Sequence, residues 1–427
     1  MSLLGRLRST TVSSGLLSAE PSREGDRATT LELFFDLVYA FAFTQVTALM
    51  AHGGSGLSVL EGLLMLGLLW GPWSSFAWLA NQTHADRGVG RLGIIAATVI
   101  MFVAALVTPL VFRPAEHGDV APAIVFGVAF LLVQAVHMTL YLMAARDDTG
   151  LRRQVIVSML SAIIPASAML IVGAVAGPPF QLWLWLAAFV SLWLMIYLTS
   201  SGGNWRVKST AHFAERHALV VILALGESVV AIGVGAADLP IDATVIVAAV
   251  LAIGIGIGLW WNYFHHLSTK IERLVGRKVG VDRARLATDI YTYLHLAVIA
   301  GIVIAALGIE STMHAAPGWH AIGWFAACGL GGGVALYLAS TAFLWRRASG
   351  SGRSSGSPVP RSRSCWCPPW RSCRPWSRSL SSSSRSSWWR VWSRCSGSGA
   401  SSWRCRRVCA EGALVHRADR PDVGGCC

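Results

Sequence analysis

Charged residues are scarce in this sequence. Asp, Glu, Lys and Arg make up 13% of its 427 residues, whereas a soluble domain has about 25%. Cysteine is nearly absent from residues 1–345, which contain Cys328 alone, and the eight cysteines at 365–427 follow no spacing typical of a zinc site or a disulfide framework. We therefore predict no metal site and no cofactor, and the shortage of charge argues against a soluble domain.

The net charge of +13 would suit a nucleic-acid-binding protein, but its distribution argues against that function. Residues 346–427 hold 16 Lys and Arg against 3 Asp and Glu, whereas residues 1–345 hold 19 residues of each sign. The basic character therefore belongs to the last 82 residues, and we predict no nucleic-acid partner.

Long apolar runs recur between residues 31 and 345. Each has roughly 20 residues, the length needed to cross a hydrocarbon core of about 30 Å. The sequence thus predicts an all-α fold, a polytopic transmembrane helical bundle of about ten spans with the lipid bilayer as its partner. The predicted spans are 31–50, 57–81, 92–112, 120–145, 154–176, 180–200, 214–236, 241–265, 289–310 and 319–345.

Basic residues predict the orientation of the spans. Eighteen Lys and Arg residues lie in the N-terminal arm or at the even-numbered connections, and Arg113 is the one at an odd-numbered connection. Because Lys and Arg accumulate in cytoplasmic loops, we predict a cytoplasmic N-terminus. Residues 1–28 are polar and lack the apolar stretch of a signal peptide.

Composition divides the chain into three parts. We expect a disordered polar arm at 1–28, a transmembrane domain at 29–345, and a low-complexity tail at 346–427 that is rich in Ser, Arg, Trp and Cys. Back-translation of the tail with G/C-rich codons and a shifted frame yields apolar segments, so we interpret the tail as the product of a frameshift near 346–362. A genuine disordered basic tail is the alternative.

A weak similarity between the two halves of the sequence suggests a six-helix unit repeated in parallel, as in some transporters. Glu32 opens span 1 with Gln45 thirteen residues later, and Glu215 opens span 7 with Ser228 thirteen residues later. The next span in each case carries a close pair of tryptophans: Trp70 and Trp73, then Trp260 and Trp261.

Several spans carry ionisable residues, which cost a few kcal/mol at mid-bilayer and normally face the bundle interior. Glu32, Asp36, Tyr39 and Phe43 fall on one stripe of span 1, so both acids should point inward. In span 7, Glu227 follows Arg216 by three turns on the same face, about 16 Å along the helix.

These positions predict a cytoplasm-facing polar cavity among spans 1, 2, 7 and 9. The expected substrate or proton pathway consists of Glu32, Asp36, Gln45, Asn81, Arg216, His217, Glu227, Ser228, Tyr291 and His295. A structural ion pair between Asp36 and Arg216 is the plainer interpretation, as is a helix-dipole role for Glu32. We assign no catalytic residue.

Three segments carry a family resemblance: LELFFDLVYAFAFTQ in span 1, HFAERHALVVILALGES in span 7 and YTYLHLAVIAGIVIAALGIE in span 9. Their residues and their order resemble the bacterial low temperature requirement protein A (LtrA) family over about residues 28–345. The resemblance implies a multi-pass protein of the bacterial inner (plasma) membrane, linked to growth at low temperature, and brings no established biochemical activity. Members usually continue into further helices after the point where this chain becomes polar.

Three functions fit these features. The first is a proton-coupled transporter or small-ligand-binding membrane protein, for an unknown small molecule or proton, with Asp36 or Glu227 as the coupling group. The second is a structural or sensory membrane protein whose polar groups only hold the bundle together. The third is a membrane-embedded enzyme acting on a lipid-like substrate, although no nucleophile elbow or metalloprotease motif is found. The sequence indicates no oligomeric state.

Overall fold

The computed structural model describes residues 27–83, 88–113, 121–200, 205–317 and 321–350. The chain divides into two compact units, Met1–Ser355 and Gly356–Cys427, and the second unit lies outside the described residues. The frameshift interpretation of the tail therefore stays a prediction.

Ten helices in the described part are long and apolar enough to cross a membrane, which confirms the all-α polytopic bundle. They are α1 (Thr30–Gly53), α2 (Gly56–Gln82), α3 (Gly88–Leu110), α4 (Pro122–Ala144), α5 (Thr149–Ala176), α6 (Phe180–Ser200), α7 (Thr210–Ala236), α8 (Ala243–Gly276), α9 (Gly280–His314) and α10 (Trp324–Ser349).

Side-chain caps fix where several helices begin. The side chains of Thr29, Ser55, Asp148, Ser209 and Asp242 each accept a hydrogen bond from a backbone N–H in the first turn that follows. Such caps satisfy the N–H groups that have no partner within the helix. The caps thus set the first turn of α1 and α7, the two helices that carry the buried charges described below.

The helices differ strongly in how far their apolar segments are buried. The share of buried residues is 89% in α2 and 72% in α9, but 17% in α6 and α8. In α8, Val250 and Leu251 are more than 60% exposed, as expected for a face that meets acyl chains. α2 and α9 therefore form the interior of the bundle, and α6 and α8 lie at its lipid-facing periphery.

The two helices α8 and α9 are longer than the sequence predicted. α8 continues to Gly276 and α9 begins at Gly280, so the charged segment between the expected spans is mostly helical. Its apolar residues Ile271 and Val275 are buried on one face of an amphipathic stretch. The charged residues on the other face lower the average hydropathy of this stretch, so the apolar runs did not predict the extension.

Glycine permits close contact between α9 and α10. A Cβ built on Gly308 would lie 2.1 Å from the backbone nitrogen of Leu330, and one on Gly333 would lie 2.3 Å from that of Ala305. By contrast, a Cβ at Gly254, Gly256, Gly258, Gly331 or Gly332 meets nothing within 4 Å. Of the glycines at 254, 256, 258 and 331–333, Gly333 is therefore the one in close contact with a neighbouring helix.

In the described part of the chain, three π-helical turns interrupt the α-helices at Met159–Ile163, Asn262–Leu267 and Thr288–Leu294. Such turns widen the helix by one residue and occur frequently at functional sites. The sequence pattern did not predict them.

Contacts among the connections support the predicted alternation of sides. Arg206 pairs with Asp148 at 3.2 Å, and Lys208 Nζ donates to the Gln82 carbonyl at 2.7 Å. These contacts join the second, fourth and sixth connections at one end of the bundle. At the other end, Gln181 donates to the Val111 carbonyl at 2.6 Å.

The tryptophan pairs that suggested a repeat lie in different environments. Trp70 and Trp73 are at most 1% exposed, whereas Trp260 and Trp261 are 44% and 51% exposed. The six-helix repeat stays a prediction that these side chains do not support.

Candidate functional site

Two acidic residues of α1 meet one arginine of α7 inside the bundle. Arg216 donates from Nη1 to Glu32 Oε2 at 2.9 Å and from Nη2 to Asp36 Oδ1 at 2.6 Å. All three side chains are at most 2% exposed. The spacing of four residues places both acids on one face of α1, which is the inward face that the sequence predicted.

Two further side chains complete this group. His212 Nε2 donates to Glu32 Oε2 at 2.8 Å, and Trp73 Nε1 donates to Asp36 Oδ1 at 2.8 Å. We call Glu32, Asp36, Trp73, His212 and Arg216 the charge cluster. Asp36 Oδ2 is buried without a hydrogen-bond partner among the described residues.

The charge cluster contains an excess of acid. It holds two carboxyl groups and one guanidinium, and the fourth ionisable side chain is His212, which is charged only when protonated. A low-dielectric interior strongly disfavours uncompensated charge. One proton held within the cluster would make it neutral.

A histidine pair adjoins the charge cluster. The His217 ring lies 4.9 Å from Trp73, 4.7 Å from Tyr291 and 5.2 Å from His295, measured between ring centroids. His295 Nδ1 donates to the Ile290 carbonyl at 2.8 Å, across the π-turn of α9. Its Nε2 therefore accepts from the Tyr263 hydroxyl at 2.8 Å. Side chains of α1, α2, α7 and α9 thus meet here, and α8 adds Tyr263, which the sequence pattern did not indicate.

Glu227 lies at a separate point on the seam between α1 and α7. Its Oε2 accepts from the Thr44 hydroxyl at 2.7 Å, and its side chain is 3% exposed. Eleven residues separate it from Arg216, or about 16 Å along α7. The neighbouring Ser228 is buried, and its hydroxyl has no hydrogen-bond partner among the described residues. Gln45 is half-buried and lies about 14 Å from Asp36 along α1.

Asn81 lies at the end of α2, and both the nitrogen and the oxygen of its side-chain amide form hydrogen bonds with backbone groups. Its Nδ2 donates to the Ser209 carbonyl at 2.6 Å, and its Oδ1 accepts from the Lys208 N–H at 2.8 Å. This arrangement fixes the segment that enters α7. His84, which the sequence places beside Asn81, lies outside the described residues.

The sequence predicts a polar cavity among spans 1, 2, 7 and 9, and this prediction is wrong for the cavity that the structure contains. The charge cluster and the histidine pair are tightly packed, with exposures of 0–3%. A cavity instead opens on the other side of α2, between α2, α4, α5, α6 and the start of α9. Its polar lining includes His137, Tyr141 and Thr292. The inward spacing of His137 and Tyr141 on α4 was the signal that could have identified it.

Metal ligands do not converge in the described part of the chain. There, no group of three or more His, Cys, Asp or Glu side chains is arranged to hold a metal ion.

Ten membrane-length helices around a buried charge cluster define a multi-pass membrane protein. The sequence profile described as bacterial low temperature requirement A protein (LtrA) matches residues 27–363, and the chain belongs to this family. It is 26% identical over 334 residues to the uncharacterized protein RA0937 of Rhizobium meliloti (strain 1021). That alignment covers 74% of this chain and 77% of the relative. No solved structure matches the chain.

Proposed function

We propose that this protein takes up protons in its interior and couples them to the binding or transport of a small molecule. The observation that carries the proposal is the excess of acid in the charge cluster. Asp36 Oδ2 and His212 are the places where the neutralising proton can reside. Ionisable residues that face a bundle interior are typical of proton relays, and loss and gain of this proton would be the coupling event.

Glu227 provides a second proton-binding position on the same seam. Glu32 and Thr44, the partner of Glu227, are twelve residues apart on α1, or about 18 Å along the axis. That distance is more than half of a hydrocarbon core of about 30 Å. Tyr39 lies between them, and its hydroxyl is buried without a partner among the described residues. The α1–α7 seam therefore supplies polar groups over much of the membrane depth.

A structural role is the second candidate, and the tight packing of the charge cluster favours it. Arg216 and Asp36 are 1% exposed, so a proton reaches them only if the seam opens. In this alternative the ion pair sets the register of α1 against α7 and carries no proton.

Proton flux into liposomes tests the proposal. The full chain is reconstituted with a pH-sensitive dye inside, and a potassium diffusion potential drives proton entry. We expect entry above that of empty liposomes, and a loss of at least tenfold in Asp36→Asn and in Glu227→Gln. Asp238→Asn is the matched control because Asp238 is exposed in the connection after α7 and should retain full flux.

Folding is checked by thermal unfolding of each variant in detergent. Flux above that of empty liposomes that is unchanged in both folded variants contradicts the proposal and favours the structural candidate. Flux equal to that of empty liposomes excludes proton movement in the absence of the small molecule. Growth in the cold gives a second readout, in which folded Glu227→Gln should fail to support growth that the unchanged protein supports.

A further inference from the structure

A narrow cavity of about 80 Å³ lies on the side of α2 opposite the charge cluster. Ser74, Ser75 and Trp78 of α2 form one wall, and His137 and Tyr141 of α4 form another. Trp193 and Trp205 close it from the side of α6 and the following connection. This volume has room for several waters or for one small organic molecule.

Three lining side chains carry buried polar atoms without a hydrogen-bond partner among the described residues. They are the hydroxyl of Tyr141 and the indole nitrogens of Trp193 and Trp205. Buried polar groups in native proteins are nearly always paired. A concentration of unpaired ones around one cavity therefore makes it a candidate binding site for a polar molecule.

The aromatic rings hold these polar atoms in fixed positions. The His137 ring meets that of Tyr141 edge-on at 5.4 Å, and Tyr141 meets Trp205 edge-on at 5.5 Å. Such edge-to-face contacts are favourable. The recognition groups are thus preorganised, which lowers the entropic cost of binding.

The lining chemistry limits the class of ligand. None of the described residues that line the cavity is Asp, Glu, Lys or Arg, so an ion would be desolvated there without a counter-charge. The indole N–H groups are donors only, so a matching ligand must offer an acceptor. We propose that the cavity binds a small neutral molecule that carries a hydrogen-bond acceptor, such as an amide or a ketone.

Thr292 connects this cavity to the charge cluster. Its hydroxyl accepts from Trp78 Nε1 at 2.9 Å, and its carbonyl accepts from Trp70 Nε1 at 2.7 Å. Trp70 stacks on Trp73 at 4.6 Å, and Trp73 donates to Asp36. Because Thr292 belongs to the π-turn of α9, a ligand that shifts this turn would also move the partner of Asp36. Binding of a small molecule in this cavity does not depend on the proposed function. The further statement that this molecule is the one coupled to protons rests on the proposed function.

Fluorine NMR tests the site with two probes of nearly equal size. Trifluoroacetamide is neutral and has an acceptor, and trifluoroacetate is an anion. In detergent micelles containing the full chain, we expect saturable line broadening for trifluoroacetamide, reversed by excess acetamide, and none for trifluoroacetate. Empty micelles give the baseline for partitioning.

Two variants locate the binding. Gly71→Leu places a side chain in the cavity and should abolish the saturable broadening. Tyr141→Phe removes one hydrogen-bonding group and should weaken binding about three- to tenfold, whereas Tyr197→Phe, at a tyrosine 54% exposed, should not. If Gly71→Leu fails to fold, the two tyrosine variants decide.

The outcomes separate this site from the proton pathway. Saturable binding that persists in Asp36→Asn while proton flux is lost supports the site on its own. Equal broadening by both probes, or binding that folded Tyr141→Phe leaves unchanged, overturns the site whatever the flux assay gives.

Discussion

Arg216 and Asp36 form an ion pair that joins α7 to α1 in the interior of the bundle. The Arg216 Nη2 and Asp36 Oδ1 atoms are 2.6 Å apart, and both side chains are 1% exposed. Removing two charges from water costs much of what their attraction gains. The pair is therefore better explained by register or by proton binding than by net stability.

Removal of Arg216 should destabilise the protein strongly. Arg216→Met leaves Glu32 and Asp36 buried without their cation, and breaking a buried pair in this way costs about 3–5 kcal/mol. Thermal or denaturant unfolding in detergent measures the loss. Arg152→Met is the control because Arg152 is exposed and should change stability by less than about 0.5 kcal/mol.

A triple variant tests whether the loss of stability comes from the uncompensated charges or from the changed shape of the side chain. Adding Glu32→Gln and Asp36→Asn to Arg216→Met removes all three charges and should recover part of the stability. If Arg216→Met unfolds like the unchanged protein, Arg216 does not form a buried ion pair with Glu32 and Asp36.

Lys208 should react with amine reagents at a lower pH than an ordinary lysine. Burial lowers the pKa of Lys208, and the nearby positive charge of Arg206 lowers it further. Because only the neutral amine reacts, a lower pKa moves the labelling curve toward lower pH. Mass spectrometry resolves Lys208 from Lys270 and Lys278, the other two lysines of the chain.

The Arg206→Gln variant checks the second of these causes. Removal of a like charge favours the ammonium form, so the Lys208 labelling curve should move toward higher pH. Arg152→Gln should leave the curve unchanged. A curve that stays in place in Arg206→Gln would show that the charge of Arg206 does not act on Lys208.

Much of the fold follows from local patterns that the sequence contains. The span count depends on apolar length, and the inward face of α1 depends on the helical spacing of Glu32, Asp36 and Tyr39. Both are properties of single helices, so both could be predicted. An ion pair between Asp36 and Arg216 was one interpretation of the sequence, because a buried acid requires a cation, whereas the contact of Glu32 with Arg216 was not predicted.

The remaining features depend on how the helices are placed against one another. Gly308 packs closely while Gly256 faces open space, although both lie in apolar helices. The cavity at Tyr141 arises because α2 is central, and no pattern within α2 indicates that position. The π-turn around Thr292 likewise reflects tertiary packing.

The orientation of the bundle gives a third prediction. The connection at Asp147 should lie in the cytoplasm and the connection at Asp238 on the opposite side, because basic residues concentrate at the even-numbered connections. Alkaline phosphatase, which is active only outside the cytoplasm, is fused after each position. Activity after Asp238 and none after Asp147 is expected, and the reverse pattern would invert the assignment of the charge cluster to the cytoplasmic half.

The close contact between α9 and α10 gives the last prediction. Gly308→Ala should destabilise the bundle by about 1–3 kcal/mol, because its Cβ would meet the backbone nitrogen and Cα of Leu330 at 2.1 and 2.5 Å. Backbone atoms cannot turn away as a side chain can, so the helices must separate. Gly332→Ala is the matched control, since nothing lies within 4 Å of its Cβ and alanine favours a helix by up to about 1 kcal/mol. Unfolding in detergent should therefore show a lower midpoint for Gly308→Ala alone, and equal midpoints for the two variants would mean that α9 and α10 do not pack through Gly308.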